Sequence, residues 1–250
     1  MLTEMEQLRY ARQLVIPTIG TGGQERLKAA RVLIIGAGGL GSPVALYLAA
    51  AGVGTLGIVD SDCVDLTNLQ RQILHGESTQ GRPKVESASE RLHQLNSGIT
   101  IRTHRLAVER GNVEQLVSAY DLVVDAVDSL ETRFTVNDAC VSLGKPLVEA
   151  GVSQFTGMIM SIIPGQGACY RCVFPTPPPP GSLPTPAQLG ILGSVAGLAG
   201  CIQATEAIKL LIGAGEPLVN RMLWIDALKM NFDMVQIARD PACPTCGSRH

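Results

Sequence analysis

The sequence is short of charged residues. Charged side chains make up 17% of its 250 residues, and the formal net charge is −2, whereas charged residues are about 25% of a typical soluble domain. No cluster of lysines and arginines occurs. Because nucleic-acid binding depends on clustered cations that neutralise phosphates, we do not expect a nucleic acid as the main partner.

A membrane protein is the first explanation to test for so few charges. Residues 32–59 are uncharged and long enough to span a bilayer, but glycines and Pro43 interrupt them. Residues 150–205 carry one charge, on Arg171, and prolines interrupt this stretch from Pro175 to Pro186. The sequence does not open with a basic segment followed by an apolar one. We therefore expect a cytoplasmic protein that does not span a membrane.

Aromatic residues are also scarce, at 4%, whereas glycine occurs 27 times. Short segments rich in valine and isoleucine alternate with helical segments through the first 150 residues, a pattern typical of a parallel sheet with helices on both faces. Later apolar segments at 156–163, 222–226 and 233–237 predict further strands, with a helix over 193–212. The predicted fold class is α/β, with a Rossmann-like, doubly wound, mostly parallel sheet and a C-terminal antiparallel extension.

A glycine-rich turn follows the first predicted strand, 31–35, and precedes a predicted helix. Its sequence, Gly36-Ala-Gly38-Gly39-Leu-Gly41, fits G-x-G-x-x-G, in which the backbone N–H groups and the helix N-terminus approach a phosphate. Asp60 ends the next strand, where a carboxylate can bind ribose hydroxyls. The motif predicts nucleotide binding without distinguishing NAD, FAD and ATP. A glycine turn that only packs a helix on a strand is the alternative.

Polar residues beyond these strands narrow the choice. Asn68, Arg71 and Gln72 would share one face of a helix, Lys84 begins a later helix, and Asp128 follows the strand 121–127. Two cations, an amide and a carboxylate near phosphates favour phosphoryl or nucleotidyl transfer over hydride transfer. Taken singly, the two cations have exposed surface charges as the lesser alternative, and the aspartate could also be a helix N-cap.

Four of the seven cysteines form two C-x-x-C pairs. Cys169 and Cys172 make one pair, and Cys243 and Cys246 make the other. Four thiolates from two such turns form a closed tetrahedral site, typical of structural zinc. A redox pair or unrelated cysteines are the alternatives. We expect the other three, Cys63, Cys140 and Cys201, to be small core residues.

Together these motifs resemble the ThiF/MoeB/HesA family of ubiquitin-activating-enzyme-like adenylyltransferases. The resemblance rests on the glycine turn, the aspartate that follows it, Asn68-Leu-Gln-Arg-Gln72, Gly81-Arg-Pro-Lys84 and Asp125-Ala-Val-Asp128, in that order. It runs from Arg9-Tyr-Ala-Arg12 to Cys246. It implies ATP-dependent adenylylation of the C-terminal glycine carboxylate of a small ubiquitin-like sulfur carrier, of the molybdopterin-synthase or thiamine type, with release of pyrophosphate.

The resemblance also assigns residue roles. Arg71, Lys84 and Asp128 are candidate catalytic residues, Asp128 is the candidate Mg²⁺ ligand, and the four paired cysteines are the zinc ligands. Arg12 resembles an arginine that enters the active site from a neighbouring subunit. The residues assigned to nucleotide binding are Gly36, Gly38, Gly39, Gly41, Asp60, Asp62, Thr67, Asn68, Leu69, Gln70, Arg71, Gln72, Lys84, Asp128 and Ser129.

The expected organisation is a single adenylyltransferase domain over 1–250, with an N-terminal helical segment, 1–30, and a nucleotide-binding half, 31–150. The remaining half, 151–250, would bind the carrier and zinc and includes a crossover loop at 173–193. Some relatives carry a cysteine in this loop that forms a covalent intermediate, but here the loop has none, and Pro186 stands near that position. We therefore expect a separate sulfur donor.

The expected partners are a second copy of the chain and a carrier ending in Gly-Gly. A homodimer would bring Arg12 to the neighbouring site, and an interface would account for the uncharged stretch 150–205. Three alternatives remain open: a relative that activates a small-molecule or tRNA-base carboxylate, an NAD-dependent oxidoreductase, and a non-catalytic scaffold held together by zinc.

Overall fold

A mixed sheet forms the centre of the molecule. The structure is a computed structural model, and it describes residues 1–179, 181–182 and 186–247. Among these residues a sheet of eight strands has the order β3-β2-β1-β4-β5-β6-β7-β8. In chain order the strands are Arg31–Ile35, Thr55–Val59, Thr100–His104, Leu122–Asp125, Leu147–Ser153, Thr156–Ile162, Arg221–Asp226 and Asn231–Gln236 (β1 to β8).

The helices alternate with the parallel strands, as predicted for the first 150 residues. In chain order they are Glu4–Arg9, Ala11–Leu14, Gly20–Ala29, Gly41–Ala51, Lys84–Leu95, Val113–Ser118, Leu130–Ser142, Tyr170–Val173, Pro186–Leu189 and Gly193–Ile212 (α1 to α10). Two short 3₁₀ turns, Leu66–Asn68 and Glu77–Thr79, lie between β2 and α5.

The first five strands of the sheet run parallel and the last three pair antiparallel. The predicted fold class is thereby confirmed, including the antiparallel extension. Alternate residues of the parallel strands pack against helices on opposite faces: Ile34 lies in one apolar cluster and Ile35 in the other. Burial on both faces explains why these strands are continuous apolar runs.

The apolar helix α10 accounts for part of the uncharged stretch. By length and composition it could cross a membrane, and half of its most apolar window is buried. It packs against β5, β6 and α4, as a core helix does.

Connectivity reverses between β1 and β4, the neighbouring strands at the middle of the parallel sheet. From β1 the chain continues outward through β2 and β3, then returns to the other side of β1. The loops after β1 and β4 therefore diverge and leave a crevice at the carboxyl ends of the strands. Ligands of open α/β sheets bind at such a point.

Candidate active site

A cleft of about 780 Å³ opens at this crevice. The glycine turn, the loop after β2, the start of α5 and the loop after β4 line one part of it. The β5–β6 hairpin, the segment after α9 and Trp224 line the other part. Of the residues predicted to bind nucleotide, those on the cleft wall are Gly36, Gly38, Gly39, Asp60, Asp62, Gln70, Arg71, Gln72, Lys84, Asp128 and Ser129.

The glycine turn has no room for side chains at two of its positions. Gly36 has a φ of +98°, and a Cβ there would lie 2.6 Å from the Ala126 carbonyl oxygen. A Cβ on Gly41 would lie 1.9 Å from the Gly36 carbonyl oxygen. Glycine is therefore required for the chain to turn directly from β1 into α4.

Asp60 and His75 hold this turn from behind. The Ala37 N–H donates to Asp60 Oδ2 (2.9 Å), and the Ala37 carbonyl lies 2.9 Å from His75 Nε2. Burial lowers the pKa of His75, and its Nδ1 lies 2.9 Å from the Ser87 hydroxyl oxygen. Both peptide groups of Ala37 are thus fixed.

The two predicted cations reach the cleft from different elements. Lys84, at the start of α5, is 5% exposed. Its Nζ lies 2.8 Å from Asp62 Oδ2 and 4.0 Å from Asp60 Oδ1. Arg71 donates from Nη1 to the Thr67 carbonyl (3.1 Å). Both cations therefore stand beside the glycine turn and are held there by oxygen acceptors.

Asp128 lies exposed on the cleft wall, between β4 and α7. Ser129, not Asp128, is the N-cap of α7, and its hydroxyl accepts from the Thr132 N–H at 3.3 Å. Within the described part of the chain no cation pairs with the Asp128 carboxylate. An exposed carboxylate at the mouth of a phosphate cleft fits a Mg²⁺ ligand, since this ion is held by few carboxylates and by substrate phosphates.

Several predicted residues lie off the cleft wall. Asn68 ends a 3₁₀ turn that does not continue as the helix assumed from the spacing, and Leu69 follows it. Thr67 is bound to the Asp65 carboxylate through its N–H and hydroxyl. Gly41 starts α4 beneath the turn, and Arg12 is exposed on α2.

Sequence reasoning missed other parts of the wall. Arg133 of α7 lines the cleft although it is 5% exposed. Residues 106–108 after β3, Gly151–Ser153 of β5 and Trp224 of β7 also contribute. Arg133 is one polar residue within a helix, and the sequence signal of the others is a position after or within a strand, which does not separate them from ordinary core residues.

The four paired cysteines come together as predicted. Their Sγ atoms all lie within 4.8 Å of one another, with 3.6 Å between Cys169 and Cys243 and 3.4 Å between Cys172 and Cys246. Sulfur atoms around zinc are roughly 3.8 Å apart, because Zn–S bonds are about 2.3 Å in a tetrahedron. The cluster therefore fits a four-thiolate metal site.

The remaining cysteines differ from one another. Cys140 is buried and Cys201 is half-buried. The prediction of a core position for Cys63 is wrong, because this residue is exposed in the loop after β2, where it forms an isolated bridge with Pro83.

Comparison with known proteins identifies close relatives. The chain is 44% identical to the sulfur carrier protein adenylyltransferase of Thermus thermophilus, over 98% of this chain and 92% of that one. It is 45% identical to the SAMP-activating enzyme E1 of Haloferax volcanii, covering 96% and 88%. It is 48% identical to the adenylyltransferase and sulfurtransferase MOCS3 of Sus scrofa, but there it spans 55% of the relative's length.

A solved crystal structure has a closely similar fold. E. coli MccB, in a crystal structure with ATP, superposes with a TM-score of 0.86 at 26% identity, over 96% of this chain and 75% of that one. The ThiF family model matches residues 10–245. The expected family and enzyme class, an adenylyltransferase, are confirmed. The chain belongs to the ThiF family.

Proposed function

We propose that this protein adenylylates the C-terminal glycine carboxylate of a small ubiquitin-like sulfur carrier. A carboxylate oxygen attacks the α-phosphorus of ATP, the bond to the β-phosphate oxygen breaks, and carrier-acyl-AMP and pyrophosphate form. The observation that carries the proposal is the convergence of the glycine turn, Arg71, Lys84 and Asp128 on one cleft.

The chemistry needs charge neutralisation more than proton transfer. A glycine carboxylate is ionised at pH 7, so no general base is required. The obstacle is the approach of an anion to a polyanion, and fixed cations in a partly buried cleft relieve it. Arg71 and Lys84 would contact the phosphates, with Lys84 exchanging its contact with Asp62 for one with a phosphate oxygen.

Asp128 would hold Mg²⁺, with Ser129 beside the nucleotide. When bound, the ion supplies neutralisation of the phosphate charges and of the pyrophosphate leaving group. Asp60 would bind the ribose, although its two oxygens already accept the N–H groups of Ala37 and Asp62. Each carboxylate oxygen has a second lone pair for a ribose hydroxyl.

The carrier as substrate is supported by the names of the relatives and by the surface beside the cleft. Trp224 lines the cleft and is 40% exposed. From there β7 and β8 continue with exposed apolar side chains, which include Phe232 and Met234. We propose that the carrier docks here, so that residues 151–250 form the carrier half and residues 31–150 the nucleotide half of a single domain.

A homodimer belongs to the same proposal. Arg12 is exposed on α2 and lies outside the cleft of its own chain. An arginine that enters from the partner subunit would add a further cation to the site. The dimer and this role of Arg12 rest on the family resemblance.

The cysteine cluster is proposed to hold a structural Zn²⁺. In the sequence, the crossover loop at 173–193 contains no cysteine. We therefore propose adenylylation without a thioester on this loop, a separate sulfur donor, and a cytoplasmic site of action.

ATP–pyrophosphate exchange against a panel of purified Gly-Gly-ended carriers tests the function. We expect exchange that depends on one or a few carriers. In Asp128→Ala exchange should fall by at least about 10²-fold, with an unchanged thermal unfolding midpoint. Exchange with no carrier, despite bound ATP, would favour a small-molecule or tRNA-base carboxylate as substrate. Absence of ATP binding would contradict the assignment of this cleft to the nucleotide.

A further inference from the structure

Three charged side chains lie buried together behind the loop that carries Asp128. Asp125 at the end of β4 and Glu149 on β5 are fully buried, and Arg133 on α7 is 5% exposed. Asp125 and Glu149 are register partners on adjacent strands. Arg133 Nε lies 2.9 Å from Glu149 Oε1.

Such a group is not explained by stability. Removing charged groups from water costs several kcal/mol per ion, and the attraction between the paired charges only about offsets this cost. Replacing a buried ion pair by well-packed apolar residues therefore often leaves the stability of a protein unchanged or increases it. Two acidic groups against one arginine make the balance less favourable. Stability therefore does not account for this buried cluster.

The cluster fixes the backbone that leads to Asp128. The Val127 N–H donates to Asp125 Oδ1 (3.0 Å), and the Val127 carbonyl accepts from Arg133 Nη2 (2.9 Å). Both peptide groups of Val127 are thus held, and Asp128 is the next residue. From the other side Gln203 of α10 donates to the Asp125 carbonyl (2.7 Å).

Burial also shifts the titration of the two carboxyl groups. It raises the pKa of Asp125 and raises that of Glu149 well above its usual value, and the nearby Arg133 guanidinium opposes both shifts. The net shifts favour protonation of this pair, which reduces the excess of negative charge against the single arginine.

We propose that Arg133 is a positioning residue for adenylyl transfer: through Val127 it sets the direction in which Asp128 presents its carboxylate to Mg²⁺ and the phosphates. Glu149, whose Oε1 lies 2.9 Å from Arg133 Nε, holds the guanidinium in place, with Asp125 on the adjacent strand. The inference rests on the proposed function, because it assigns Asp128 to the metal.

The test measures how strongly Mg²⁺ tightens ATP binding, by calorimetry of the full chain with ATP in excess MgCl₂ and in EDTA. Arg133→Lys keeps the charge but cannot hold two acceptors in the same geometry. Gly151→Ala displaces the guanidinium without removing it, because the new Cβ would lie 2.6 Å from Arg133 Nη1. Arg171→Lys is the matched control. Arg171 binds Asp138 of α7, the helix that also carries Arg133, and does not touch Val127.

Arg133→Lys and Gly151→Ala should lose at least about tenfold of the Mg²⁺ effect, as residues that orient a metal ligand do, so their ATP affinity should fall more in MgCl₂ than in EDTA. Arg171→Lys should keep the effect. Adding Arg133→Lys to Asp128→Asn should cause no further loss, because both act through one carboxylate.

Two results would overturn the inference. One is a Mg²⁺ effect in both variants within twofold of the wild type. The other is equal weakening of ATP binding with and without Mg²⁺, which indicates a merely structural role. If Asp128→Asn keeps the wild-type Mg²⁺ effect, the metal assignment in the proposed function fails, and the inference fails with it.

Discussion

At the scale of single residues, oxygen acceptors of the protein hold the two cations of the cleft in place. Lys84 is nearly buried between Asp60 and Asp62, and Arg71 is held by a backbone carbonyl. Side chains fixed in this way lose little freedom when phosphates bind, and a partly buried setting strengthens their effect on developing charge. The Arg133 guanidinium is likewise held in place, by Glu149 and by the Val127 carbonyl.

The raised pKa of Glu149 leads to a prediction about pH. Its pKa is raised in the folded state, so above about pH 4.5 the unfolded chain releases a proton that the folded chain retains. The free energy of unfolding of the wild type should therefore lose a contribution as pH rises from that value towards the folded pKa. Glu149→Gln has no such titration, so its stability relative to the wild type should increase with pH.

Urea unfolding between pH 5 and 8 measures this difference. Glu90→Gln is the control, because Glu90 forms an exposed pair with Arg82. Parallel stability curves for Glu149→Gln and the wild type would mean that Glu149 is ionised in the folded protein.

Residue positions were predictable where a motif constrains the backbone. The glycine turn, Asp60 and Asp128 reach the cleft because each comes soon after a strand of one parallel sheet, and that order can be read from the sequence. Arg133 could not be recognised, because its role depends on contacts with β4 and β5 that bring residues 125, 133 and 149 together. Cys63 was misassigned because cysteine is a residue type that is usually buried, whereas its neighbours Asp62 and Asp65 are acidic and the loop after β2 leaves it exposed.

At the scale of elements, the glycine turn joins β1 to α4 with no space to spare at Gly41. In Gly41→Ala the Cβ would meet the Gly36 carbonyl oxygen at 1.9 Å, so the backbone must shift. We expect a loss of stability of about 1–3 kcal/mol or more.

At Gly38 the nearest contact of a new Cβ would be 3.6 Å, to Gln72 Nε2. Gly38→Ala should keep its stability but weaken ATP binding, because the methyl group occupies the phosphate approach.

Thermal unfolding and ATP calorimetry on the two variants separate these effects. Equal unfolding midpoints for Gly41→Ala and Gly38→Ala would contradict the packing described at the turn.

The cysteine cluster joins two distant elements. Cys169 precedes α8 and Cys172 lies within it, whereas Cys243 and Cys246 lie beyond β8. Structural zinc contributes on the order of 10 kcal/mol to the folding of small domains. We expect one zinc per chain by elemental analysis and a lower unfolding midpoint after chelation. Cys172→Ser should lose zinc to a chelator that leaves Cys63→Ser metallated. Equal metal content in both variants would exclude the site.

At the scale of the whole molecule, burial within one chain explains part of the missing charge. Strand β6 is buried along most of its length, and α10 packs on the sheet. The sequence therefore predicted the fold class well, since alternating elements and apolar runs reflect burial directly. It could not distinguish burial in the chain from burial in a dimer, because both deplete charge.

Mixing two inactive variants tests the proposed dimer. Arg12→Ala lacks the entering arginine and Asp128→Ala lacks the metal ligand. If Arg12 acts across a two-fold interface, subunit exchange creates one intact site per mixed dimer, and about a quarter of wild-type exchange activity should return. No recovery, in a mixture whose mixed dimers are verified by native mass spectrometry, would place Arg12 outside the partner's site.

The adenylylated carrier is the product that tests the proposed function most directly. A purified Gly-Gly-ended carrier that supports exchange is mixed with the protein, ATP and Mg²⁺, and its intact mass is measured. We predict the gain of one adenylyl group, absent when the carrier lacks its final glycine and absent with the Lys84→Ala variant. An unchanged carrier mass, with ATP bound and carrier present in excess, would contradict carrier adenylylation.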